Sequence, residues 1–214
     1  MRPWLCSSVR APDVRDLGIQ PSLRDSCVRE FWTTRRSDGI SRRGTGLRWR
    51  SGVRQHDDVS GLRWDDVQVW FDLDLNGSLP DVHVPETTAE DWRRLISLVQ
   101  EEGWQWAYLV EGEPSELPTV EDMLSRRDAG VALHVWPVPD VLAIFRPYEA
   151  EQIDFDVDLR ELQGQERLDV LCRFFTTIGR ALRKPVLMTP EGVGNHPVLG
   201  YDPAGDRVVV LASE

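Results

Sequence analysis

Between Ile153 and Leu159 the chain alternates apolar and acidic residues one by one: Ile153, Phe155, Val157 and Leu159 against Asp154, Asp156 and Asp158. A period of two predicts a strand, because successive side chains leave a strand on opposite faces, one buried and one wet. The same signal recurs elsewhere. Val67, Val69, Phe71, Leu73 and Leu75 alternate with Gln68, Trp70, Asp72, Asp74 and Asn76, and the turn-forming pair Asn76-Gly77 leads toward a return strand near Val82 to Val84. Further strands are expected at Trp104 to Val110, Val131 to Trp136, Val141 to Phe145 and Val186 to Met188. A hairpin is expected over Val198 to Val210, broken at Asp202-Pro203-Ala204-Gly205-Asp206.

Helical period is rarer. One long stripe, Leu168, Leu171, Cys172, Phe175, Ile178 and Leu182, runs from about Gln165 to Arg183 and is stopped by Pro185. The spacing Thr87-x-x-Glu90 reads as a capping box for a second helix, with Trp92, Leu95, Ile96 and Val99 on one side and Gly103 at its end. Thr119-x-x-Asp122 opens a shorter third helix carrying Val120, Met123 and Leu124. Strands outnumber helices and several follow one another directly. The fold class expected is therefore α+β: a mixed or mostly antiparallel sheet, with one long and one or two shorter helices packed on one face.

Charge divides the 214 residues into two parts. Residues 1–64 hold 13 arginines and no lysine against seven acids, an excess of six positive charges. Residues 65–214 hold 12 basic and 29 acidic side chains, an excess of 17 negative charges. The first part lacks any sustained apolar period and reads as a disordered, Arg-rich extension; the second reads as the acidic α+β domain. No apolar stretch follows Arg35-Arg36 or Arg42-Arg43, as a secretory signal requires. No run is long and apolar enough to cross a membrane as a helix, so a cytoplasmic protein without membrane contact is expected. Arginines interleaved with Trp32 and Trp49 leave open a nucleic-acid-binding arm, and nucleic acid is a partner only if that arm is real.

Catalytic spacing is missing. Cys172 falls on the apolar stripe of the long helix and reads as a buried thiol, and His56, His83, His134 and His196 are scattered. Asp72-x-Asp74-x-Asn76-Gly77 matches the first half of a calcium-binding loop, but the twelfth position, where a bidentate glutamate is needed, is His83. No cofactor motif is present, and an enzyme is the less favoured class.

What remains is carboxylates in rows. Asp154, Asp156 and Asp158 project away from the core, and Asp72 and Asp74 do the same if their segment is a strand. Trp70 shares that second face, as an interface anchor or as a residue covered by the extension or a loop. The expectation is a non-enzymatic protein-binding module whose acidic sheet face, Trp70, Asp72, Asp74, Asp154, Asp156 and Asp158, takes a basic protein partner. A divalent-metal-dependent hydrolase or nuclease using the strand carboxylates is the alternative. In format alone, small, acidic, cysteine-poor and without catalytic spacing, the chain is similar to immunity and antitoxin proteins that block basic toxins, which implies the same kind of partner.

Overall fold

Nine short strands form one sheet in which every pairing is antiparallel. The computed structural model of the protein describes residues 61–126, 130–192 and 196–211, and all statements here concern those residues. The Arg-rich extension expected over 1–64, with its arm or targeting readings, falls almost wholly outside them.

In chain order the strands are β1 (Asp81–Val84), β2 (Gln105–Val110), β3 (Glu113–Ser115), β4 (Val131–Val138), β5 (Val141–Arg146), β6 (Ile153–Val157), β7 (Val186–Thr189), β8 (Leu199–Asp202) and β9 (Arg207–Val210). Their order across the sheet is β3-β2-β4-β5-β6-β1-β7-β8-β9. Hairpins account for most neighbours. Besides β2, which pairs with β4 beyond β3 in the chain, one exception decides the site: β1, first in the chain, is inserted between β6 and β7.

The alternation in β6 does what its period demands. Ile153, Phe155 and Val157 are buried, and they register with Val84 and Val82 of β1 and with Phe145 and Ala143 of β5, all buried on the same side. Over this side lie the helices α3 (Ala89–Glu101), α4 (Val120–Ser125) and α5 (Gln165–Leu182), which follow two single-turn helices, α1 (Trp64–Val67) and α2 (Leu73–Asn76). Phe174 and Phe175 of α5 meet the Phe155 ring edge-on at 5.8 and 6.1 Å, and Phe145 stacks on Phe155 at 4.5 Å. Burying these aromatic surfaces contributes on the order of 2 kcal/mol or more per side chain, and offset ring contacts add to it. Cys172 lies in the same core.

Two local expectations are corrected. Residues 67–75 do not form a strand: α1, a 3-10 turn (Gln68–Phe71) and α2 follow one another instead. Val67 and Phe71, four residues apart, are the buried pair, while Val69, Leu73 and Leu75, which a strand would have hidden, are 48%, 40% and 69% exposed. Asp72 accepts hydrogen bonds from the Asp74 and Leu75 amides, and Asn76 Nδ2 donates to the Val69 and Asp72 carbonyls at 2.7 and 3.1 Å. Such side-chain bonds to nearby backbone favour caps and turns over a ladder.

The capping box also shifts by one residue. Thr88 and Asp91, not Thr87 and Glu90, exchange the reciprocal bonds at the start of α3. Thr87 is buried, donating its hydroxyl to the Ala150 carbonyl at 2.7 Å.

Candidate functional site

The other side of the sheet carries no helix among the described residues, and its centre holds the chemistry. Because Phe155 and Val82 point into the core, their neighbours Asp154, Asp156, Asp81 and His83 point outward. Register then places His83 opposite Asp154 and Asp81 opposite Asp156. On the far side of β6, Arg146 stands opposite Asp154; on the far side of β1, Thr189 stands opposite Asp81. Four strands thus contribute to one depression of 410 Å³.

The loop joining β5 to β6 forms one rim of it. That loop is tied down by α3 and the residue before its cap: Thr87 N donates to the Glu151 carbonyl at 2.8 Å, and Trp92 Nε1 to the Glu149 carbonyl at 3.0 Å. Tyr148 and Gln152 are thereby brought to the edge of the depression. The opposite rim is held by Glu191, whose carboxylate accepts from the Ser78 and Leu79 amides at 2.9 and 3.2 Å, fixing the approach to β1.

Charge within the depression is unbalanced. Three carboxylates, Asp81, Asp154 and Asp156, share it with one guanidinium, Arg146. Arg146 is committed to Asp156 through bonds of 2.8 and 2.7 Å. Asp154 accepts from Gln152 Nε2 at 2.6 Å, and neither Asp154 nor Asp81 has an Arg or Lys partner among the described residues. Partial desolvation, followed by the nearness of Asp156 and Glu191, lifts the Asp81 carboxyl above its ordinary range. Desolvation lifts Asp154 as well, and it lowers His83, against the opposing pull of Asp154 and Asp81.

The six residues singled out from the sequence do not share one sheet face. Asp154 and Asp156 stand on the open sheet face as expected. Asp158 does not extend their row: it is 7% exposed, caps the 3-10 turn Leu159–Glu161 and forms a two-toothed pair with Arg160 at 2.6 to 3.1 Å. Trp70, Asp72 and Asp74 lie in the helical turns before β1, with Trp70 packed on the edge of the core and both aspartates exposed. Asp81, His83, Arg146 and Thr189 were missed. A signal existed for two of them, since Asp81 and His83 alternate with Val82 and Val84; Thr189 and Arg146 become relevant only through pairing.

The calcium-like run is used up locally, with Asp72 as a helix cap and Asn76 as a donor to backbone. Among the described residues no three His, Cys, Asp or Glu side chains converge as a metal ion requires. His83 faces carboxylates, with no Ser, Cys or Thr hydroxyl bonded to it among the described residues, so a nucleophile–base pair is not assembled. No model of a known protein family matches the chain, and no curated protein does.

Proposed function

We propose that the protein is a non-enzymatic binding module that takes a basic protein partner on the open face of its sheet, around Asp81, Asp154 and Asp156. The observation that carries this reading is the excess of carboxylates over cations, among the described residues, in one depression at the centre of the sheet face opposite the core. Asp81 and Asp154, partly desolvated and without a salt bridge among the described residues, raise the energy of the isolated protein. A cation supplied from outside relieves that repulsion, so complementarity is built in before the partner arrives. The surrounding excess of 17 negative charges over residues 65–214 steers such a partner and makes association fall with salt. An immunity- or antitoxin-like role belongs to the same proposal, since the partners of those proteins are basic.

The test is selection from a random peptide display library on the immobilised full chain, repeated with the Asp81→Asn/Asp154→Asn double variant. Enrichment of Arg- or Lys-containing peptides whose capture weakens in the double variant and in 0.5 M salt supports the proposal. Enrichment indifferent to both changes, or of neutral peptides alone, overturns it.

A further inference from the structure

We infer that the depression seats one guanidinium group, the end of an arginine side chain, between Asp81 and the hydroxyl of Thr189, with Asp154 lining the same hollow. The inference rests on the proposed recognition of a basic partner and names the chemical group that the face receives.

Thr189 is the independent observation. Its side chain is 3% exposed and lines the depression, and its Oγ1 is without a hydrogen-bond partner. Its predecessor Met188 points into the core opposite Val82, so Thr189 points to the open face, directly across from Asp81. A buried hydroxyl left unpaired is destabilising, and native structures rarely keep one without a use. At this spot the hydroxyl is an acceptor directly across from Asp81, a carboxylate with no salt bridge among the described residues.

Geometry favours guanidinium over ammonium. Asp81 and Thr189, paired on adjacent strands, stand about 5 Å apart, a spread that a planar fork of five N–H donors spans better than one compact ammonium. Guanidinium is also the more weakly hydrated cation, so entering a half-desolvated hollow costs it less. The face already holds one such pair in Arg146 with Asp156. Tyr148, 51% exposed at the rim, offers a ring on which the guanidinium plane can lie. A volume of 410 Å³ suits a side-chain end with a few waters and is too small for a folded element.

The experiment is a titration of the full chain, followed by amide NMR, with methylguanidinium and with methylammonium, then with free L-arginine and a capped arginine tripeptide. Saturable shifts at Asp81, Asp154 and Thr189 that are stronger for methylguanidinium support the seat. Thr189→Val should weaken binding about tenfold, the loss of one hydrogen bond to a charged group, while leaving Tm unchanged or higher. Asp81→Asn should weaken it at least as much. Tighter binding of the tripeptide identifies a protein arginine as the source, and tighter binding of free L-arginine a small guanidino compound; either supports the seat. No saturable shift, equal response to methylammonium, or unchanged binding in both variants overturns it. Basic peptides that bind through Asp81 and Asp154 but are not displaced by methylguanidinium overturn the seat and leave the proposed function standing. Methylguanidinium binding without any basic peptide binding does the reverse.

Discussion

The ring of Tyr201 lies against the bare Cα of Gly179, close enough that no side chain fits between α5 and β8 at that point. The contact sets the distance between the long helix and the far half of the sheet. It is locked from outside by Asp206, which accepts from the Tyr201 hydroxyl at 2.8 Å and from Arg180 Nε at 2.7 Å. Gly179→Ala is expected to destabilise by about 1–3 kcal/mol through overpacking, despite alanine's better helix propensity. Urea unfolding measures this, and a stabilised variant would contradict the packing described.

Gly77 has φ +73° and ψ −174°, a region open to glycine almost alone, and a Cβ there would strike the Glu191 side chain. Gly77→Ala should cost roughly 1–3 kcal/mol and loosen the Glu191 bonds to Ser78 and Leu79. Amide exchange at those two residues should accelerate more than at the core of β4.

Thr88→Ala removes the cap of α3 and should cost about 1 kcal/mol. Thr87→Ser, which keeps the hydroxyl that reaches Ala150, should cost less than Thr87→Val, which removes it. Thermal unfolding of the three variants tests the shift of the box by one residue.

Acid dependence follows from the depression. Asp81 is faced by Asp156, Glu191, His83 and Arg146, and Asp154 by Gln152, His83, Glu149 and Asp81. Both carboxyls bind protons more tightly folded than unfolded, so each favours the fold below the ordinary carboxylate range and loses that effect as pH rises through its raised value. Asp154→Asn is therefore expected to be more stable than the parent at pH 7, with the gain shrinking toward pH 3. His83 runs the other way, since its lowered value means that stability is lost as pH falls below about 6.5, the ordinary histidine value. Denaturant midpoints across pH 3–8 for the parent, Asp154→Asn and His83→Gln separate the two opposed slopes.

Most elements were legible because their periods are clean. β6 with its outward Asp154 and Asp156, the stripe of α5, and Tyr108 buried beside partly covered Trp104 and Trp106 all follow from spacing alone. The segment from Val67 to Leu75 misled because its alternation satisfied a strand while Val67 and Phe71 equally satisfied a helical turn. Asp72 and Asn76, residues that bind nearby backbone, decided for the turn, and they took Trp70, Asp72 and Asp74 out of the sheet.

Residue order by itself determined most of the strands and the three longer helices, and which side chains of those strands turn inward, since those depend on a period read within a few residues. Tertiary structure alone decided that β1 enters between β6 and β7. Ladder bonds and core packing between distant segments select neighbours, and no local period encodes that choice. That insertion is what sets Asp81 and His83 beside Asp154 on one side and Thr189 on the other, turning separate polar residues into one anionic hollow.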